Sequence, residues 1–237
     1  MSSVSVLQRL RRLSRCRWES RQEVESPGAT RIVYTGDDVA RLEAMRIETA
    51  HNFIQRITVP YRLHFACGKV RLPGWINIDR DQASEIIDVS WDVRQPFPIA
   101  DGSCEYIFHE HFLEHLTVPE GLAFLHECRR LLAPGGVLRV AMPDLAECVR
   151  QYYEDDWRQP WMKKYGYEWI QTRAETINIA FRDWEHKWLY DREELHRRLR
   201  ESGFATIRDC ARLESDVLAL RGLETREESL LVCEAIK

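Results

Sequence analysis

The sequence has no pair of cysteines at the C-x-x-C spacing. Its seven cysteines, at 16, 67, 104, 128, 148, 210 and 233, are odd in number and far apart. That pattern argues against a disulfide framework or a cysteine-built zinc site, and for reduced thiols in a reducing compartment such as the cytoplasm. No long run of apolar residues escapes interruption by charge, so no transmembrane helix is expected. Neither G-x-G-x-x-G nor G-x-x-x-x-G-K-[ST] occurs. Without those glycines the backbone cannot closely approach a pyrophosphate or cradle a triphosphate. An excess of positive charge is missing too. Lys and Arg number 34 against 38 Asp and Glu, for a net charge of −4, which is a poor match to general nucleic-acid binding. No internal repeat is visible.

What remains is a chain of 237 residues, 44% hydrophobic and 30% charged, the composition of a folded domain rather than a fibrous or disordered one. The first 18 residues carry five Arg and no acid. They read as a solvated basic arm, with a transit peptide or a membrane-surface contact as the alternatives. Ser26-Pro27-Gly28 marks a linker, and a helix is predicted over 37–57 with Thr35 or Asp37 as its N-cap. Residues 1–58 form this N-terminal extension.

From residue 59 onward, short apolar runs alternate with helical patterns. Strands are predicted at YRLHFAC (61–67), WINID (75–79), IIDVSWDV (86–93), 105–108, VLRVAM (137–142), FATIRDC (204–210) and SLLVCEAI (229–236). Helices are predicted over about 119–132 and 191–201, the first stopped by Pro134-Gly135-Gly136. Seven strands alternating with helices imply an α/β, Rossmann-like, doubly wound and mostly parallel sheet. The N-terminal helix is an extension of it, and an aromatic-rich helical stretch at 145–190 is an insertion in it.

In an open parallel sheet, ligands bind beyond the carboxyl ends of the strands. There the sequence places Cys67-Gly68-Lys69, then Asp79, then Asp92, then the run His109-Glu110-His111-Phe112-Leu113-Glu114-His115, then Pro143-Asp144. One glycine and one Pro-Gly turn suit a nucleoside-type ligand better than a dinucleotide. Asp79 can take both hydroxyls of a ribose, and Asp92 can accept from an adenine amine.

These residues carry a family resemblance. LHFACGKVRLPGWINID, DVRQPFPIADGSCEYIFHEHFLEHL and LHECRRLLAPGGVLRVAMPDL, in that order, resemble class I S-adenosylmethionine-dependent methyltransferases. The nearest likeness is to the type 11 group associated with glycan and cell-envelope methylation, and it extends over 61–237. The resemblance implies that Ala66, Cys67 and Gly68 form the loop against the methionine part of S-adenosylmethionine. It also implies that Asp79 binds the ribose, that Asp92 and Val93 read the adenine, and that His111 faces the methyl group and its acceptor. The sequence departs from the family loop at two places, with His64 where an acid is usual and Ala66 where the first glycine is usual.

Methyl transfer to a hydroxyl requires loss of a proton, and a neutral imidazole is a suitable base. His111 is the first candidate and His186 the second. His109 and His111 would share a strand face, or His111 and His115, at i, i+4, a helix face, while Glu114 and His115 otherwise read as the start of a helix. The H-x-H spacing and the carboxylate also match the ligand pattern of a metal site, although no metal ligand is assigned. Eleven aromatic residues fall between 150 and 190, among them five of the eight Trp. Such rings make amphipathic binding surface, and Arg182, Trp184, Trp188 and Tyr190 are predicted to contact substrate. The alternative is a helical cap built around its own rings. The expected activity is O-methylation of a glycan or small polar metabolite. A metal-dependent hydrolase using HEHFLEH and a non-catalytic binding protein on the same fold are the alternatives, and oligomeric state is left open.

Overall fold

The computed structural model of the protein describes residues 36–80, 85–154 and 157–237. The basic arm, the linker and Thr35 lie outside the described residues. Helix α1 spans Gly36–Ile54. Its Ala50 and Ile54 are buried in the main core, so α1 packs with the sheet that follows instead of standing apart from it.

The sheet has seven strands. They are β1 (Tyr61–Phe65), β2 (Ile76–Asp79), β3 (Val89–Ser90), β4 (Cys104–Glu110), β5 (Leu132–Met142), β6 (Thr206–Asp209) and β7 (Leu231–Ile236). Their order is β3-β2-β1-β4-β5-β7-β6. The first five run parallel, and β7 is antiparallel to both of its neighbours. This is the mostly parallel, Rossmann-like sheet expected from the sequence. The strand order reverses between β1 and β4, which makes the gap beyond their carboxyl ends the expected ligand site.

Side chains alternate across the sheet because a strand has a period of two. On β5, Leu138, Val140 and Met142 face the main core, while Val137 and Ala141 face a second one. Helices α2 (Val118–Leu131) and α6 (Arg192–Glu201) cover the first face. Leu125, Leu131, Leu195 and Leu199 are fully buried there, each stabilising the fold by roughly 1.5–3 kcal/mol. A capping box starts α2: the Thr117 hydroxyl accepts from the Glu120 amide, and the Glu120 carboxylate accepts from Thr117. Between α2 and α6, the described helices are α3 (Leu145–Tyr153), α4 (Pro160–Lys164) and α5 (Arg173–Asn178), the last running into a π turn at Ile179–Asp183.

Two strand predictions need correction. Only Val89–Ser90 of the stretch 86–93 forms strand, at the sheet edge, with the Trp91 amide giving a last bond to the Asp79 carbonyl at 2.9 Å. The fifth strand does not begin after Pro134-Gly135-Gly136 but runs through it. Gly135 and Gly136 exchange backbone hydrogen bonds with Lys237 at 2.9 and 3.0 Å. A Cβ on Gly136 would lie 3.0–3.1 Å from the carbonyl oxygens of Ala133, Cys104 and Glu105, so the close approach requires glycine.

The six described cysteines are all free. Among the described residues, no helix is long and apolar enough to cross a membrane.

Candidate active site

Two cavities open beyond the carboxyl ends of the strands. The smaller, of about 120 Å³, lies against the ends of β1, β2 and β3, with Ala66, Asp79, Asp92 and Val93 on its walls. The structure thus brings together four of the six residues expected to hold the cofactor. Of the other two, Cys67 is buried, and burial pushes its thiol up to about 12, so it stays protonated. Gly68 gives its amide to Asp79 Oδ2 at 2.8 Å.

The two departures from the family loop have different consequences. Ala66 takes φ +52°, so the backbone follows a glycine-like course despite the methyl group, at a cost of about 1 kcal/mol or somewhat more. Gly68 follows at φ +55° with nothing within 4 Å of where a Cβ would stand. The loop therefore presents an open backbone face, as close approach of a ligand requires. His64 turns away from the cavity. It is 3% exposed, its ring stacks on Phe108 at 5.3 Å, and Nδ1 meets Asn77 Oδ1 at 3.1 Å. It does not take over the place of the acid. Asp92 already accepts from Arg94 Nε at 2.9 Å and from a terminal nitrogen of Arg94 at 2.6 Å. Its carboxyl is held below its usual range by those bonds against the opposing effect of burial.

The larger cavity, of about 860 Å³, lies between the sheet and the insertion. Trp157, Met162, Ile170 and Ile179 form a small core inside the insertion. Trp161, Tyr167 and Trp184 pack against that core and also line the cavity, with Trp184 Nε1 donating to Tyr167 Oη at 2.8 Å. The insertion is thus both a cap with its own core and a wall of the cavity. Of the four residues predicted to contact substrate, only Trp184 lines it. Arg182 is exposed elsewhere, and Trp188 is exposed and donates to Glu194 at 3.0 Å. Tyr190 is 1% exposed in the main core, where burial pushes its hydroxyl up to about 12, and so it is out of reach of a substrate.

The two cavities share one wall residue, His115. Around it the run after β4 folds differently from its prediction. His111 takes φ +49°, and Leu113–His115 form a single 3₁₀ turn. The helix starts only at Val118, so His111 and His115 do not share a helical face. The carbonyl of Glu114 accepts from the amides of Lys187 and Trp188 at 2.8 and 3.2 Å, which docks the segment carrying His186 onto this turn. The result is a cluster of His111, Glu114, His115 and His186. His111 Nδ1 lies 3.8 Å, and His186 Nε2 4.0 Å, from Glu114 Oε1. The His115 and His186 rings are 4.9 Å apart.

Glu114 is the residue that sequence reasoning missed. Its side chain is 1% exposed and neither carboxylate oxygen makes a hydrogen bond. Burial pushes its carboxyl up to about 8, with the nearby amides of Glu114 and Phe112 and the Arg226 guanidinium opposing. Burial likewise holds His111 down to about 3 and His186 to about 4, aided by neighbouring cationic and imidazole groups. These rings are neutral at ordinary pH. The signal in the sequence was an acid set in the apolar context Phe-Leu-Glu-His-Leu, just ahead of the Thr117–Glu120 capping box that fixes where the helix begins.

A family model described as a methyltransferase domain matches residues 31–208. The chain belongs to this methyltransferase family. It is an S-adenosylmethionine-dependent methyltransferase, and S-adenosylmethionine is its cofactor. The matched region begins upstream of the 61–237 expected from the motifs, and takes in helix α1. No curated protein matches the sequence. Among solved structures, it is similar to an S-adenosylmethionine-dependent methyltransferase from Archaeoglobus fulgidus, with 14% identity over 82% of this chain and 94% of that one and a TM-score of 0.46. Another, from Thermotoga maritima, shares 12% identity over 85% of this chain and 95% of that one, with a TM-score of 0.46. A phosphoethanolamine N-methyltransferase from Haemonchus contortus shares 11% over 70% and 39%, with a TM-score of 0.41.

Proposed function

We propose that this methyltransferase acts on a hydroxyl oxygen of a polar, sugar-sized acceptor, a glycan or a small polar metabolite, in the cytoplasm. The observation that carries the reading is the junction of the two cavities at His115. A nucleoside cleft and an acceptor cavity that share a wall let two bound molecules meet at one point, which contributes the proximity that displacement at carbon needs. The composition of the larger cavity supports a polyhydroxylated acceptor. Trp161, Tyr167 and Trp184 offer ring faces, while Asp144, Glu147 and Glu228 offer carboxylates that can accept from hydroxyls.

Ala66 and Gly68 would hold the methionine part of the cofactor, Asp79 its ribose, and Asp92 and Val93 its adenine. Bound there, S-adenosylmethionine would supply an electrophilic methyl group, with its sulfur as the leaving group. The protein's task is to align the acceptor and to take the hydroxyl proton. His111 is the proton acceptor in this reading: it lines the cavity, and its Nε2 is buried without a hydrogen-bond partner. Glu114 Oε1 lies 3.8 Å from its other nitrogen. His186 completes the wall behind them.

Incubation with methyl-labelled S-adenosylmethionine and a panel of sugars, polyols and small amines tests the acceptor class. Label is expected in methyl ethers on oxygen, located by NMR of the product. Transfer only to nitrogen would overturn the oxygen assignment.

A further inference from the structure

We propose that Glu114, His115 and His186 hold a divalent transition-metal ion at the junction of the two cavities. The proposal deepens the methyl-transfer reading above: the ion would bind the acceptor's hydroxyl oxygen at an open position facing the larger cavity.

One donor atom from each of the three residues lies within 4.8 Å of the others. Ligand atoms around a zinc ion at about 2.0–2.1 Å stand roughly 3.3 Å apart in a tetrahedron, so small side-chain rotations close the site. What points to a cation is the state of the donors. Both oxygens of Glu114 are buried without a partner, and His186 Nε2 faces Glu114 Oε1 at 4.0 Å. A buried carboxylate with no donor is costly, and a metal ion would satisfy it together with the two imidazoles. Arg226 is on the cavity wall but gives Glu114 no hydrogen bond. Two imidazoles and one carboxylate favour zinc, iron, cobalt or nickel over magnesium or calcium.

A second cluster makes the contrast. His196, Asp209 and Cys233 are as close together, but their atoms serve one another. His196 Nε2 meets Asp209 Oδ1 at 2.8 Å, and Cys233 Sγ donates to the same oxygen at 3.3 Å. Nothing there is left for a cation to satisfy.

With three protein ligands the ion keeps a position open, as catalytic sites do. A hydroxyl bound there becomes more acidic, and its proton passes to His111, which is not among the three ligands. No redox change and no further reactant is involved: the hydroxyl proton would go to His111 as the carbon–oxygen bond forms and the methyl–sulfur bond breaks, its electron pair staying on sulfur.

The test uses the full chain, stripped with a chelator and titrated with zinc and with cobalt, while S-adenosylhomocysteine binding is measured in parallel on the stripped protein. One zinc per chain is expected, weakened at least tenfold by Glu114→Gln and by His186→Ala and unchanged by His196→Ala. Cobalt in the unmodified protein should give the visible spectrum of a four- or five-coordinate ion with imidazole ligands, a readout that does not depend on any variant folding. No zinc binding, equal binding by Glu114→Gln, or a six-coordinate aquo-like cobalt spectrum would overturn the proposal. S-adenosylhomocysteine binding without metal binding would leave the methyltransferase reading standing while the metal site fell. Metal binding without S-adenosylhomocysteine binding would do the reverse.

Discussion

Replacing Arg139 by Met should destabilise the fold by about 3–5 kcal/mol, the effect of breaking a buried ion pair by removing one partner. Arg139 sits in the middle of β5, directly opposite Glu234 of β7, and its side chain is fully buried. Its Nε donates to Glu224 Oε1 at 2.5 Å and a terminal nitrogen to Glu234 Oε1 at 2.7 Å. Glu224 in turn accepts from the amide of Leu213 at 2.9 Å, so the guanidinium pins the loop after β6 onto the second face of the sheet. Loss of the cation leaves two carboxylates in the interior with no countercharge. For a chain of this size the melting temperature should fall by roughly 6–20 °C, at about 2–4 °C per kcal/mol. Replacing Arg139, Glu224 and Glu234 together with apolar residues of similar volume should recover much of the loss, because the desolvation cost disappears with the charges. Denaturant unfolding of the single and triple variants checks both statements. A single variant within 1 kcal/mol of the parent, by the criterion for a surface pair, would contradict this account of the second face.

His111→Asn should lower turnover by about 10²–10⁴-fold, the range for loss of a positioned acid–base group, and should leave S-adenosylhomocysteine affinity within about twofold. Asparagine is chosen because His111 holds a left-handed backbone at φ +49°, a conformation that asparagine tolerates better than most residues. The fold is therefore kept and the proton acceptor removed. The cofactor cleft is walled by His115 and Phe112 but not by His111, hence the split between turnover and cofactor affinity. Steady-state kinetics beside calorimetry on the same sample separates the two. A variant that loses cofactor binding in step with turnover would mark His111 as a structural support of the cleft instead.

Much of the fold was legible because buried parallel strands read as apolar runs between breakers, and most of the seven runs lie close to their strands. The edges were less so. β3 is short because an edge strand has a partner on one side only. β5 is long because Gly136 lets three carbonyl oxygens come close, a tertiary contact invisible in the local pattern. Arg139 gave no sign of its role either: one Arg in VLRVAM looks like a solvent-facing strand position until Glu224 and Glu234, far along the chain, meet it.

In the candidate site, strand ends pointed to Asp79 and Asp92 and the family resemblance added Ala66 and Val93, and all four line the smaller cavity. The cluster at His111 was half found. Local spacing suggested a helix from Glu114, whereas the capping box delays the helix and the left-handed turn at His111 swings the imidazoles and Glu114 together. That His186 joins them depends on backbone bonds from Lys187 and Trp188 to the Glu114 carbonyl, across more than 70 residues of sequence. The aromatic surplus correctly marked a cavity wall, but only Trp184 of the predicted contacts lies on it, because ring count does not distinguish rings that line a cavity from those that build the core behind it.

In the proposed function, the cleft at the ends of β1, β2 and β3 holds the nucleoside end of S-adenosylmethionine through Asp79. Isothermal calorimetry of S-adenosylhomocysteine on the full chain and on Asp79→Ala tests it most directly. One site per chain is expected, with a dissociation constant well below millimolar, weakened at least tenfold in the variant, or about 1.4 kcal/mol, consistent with the loss of hydrogen bonds to a charged group. Absence of binding at millimolar ligand, or equal affinity in Asp79→Ala, would contradict it.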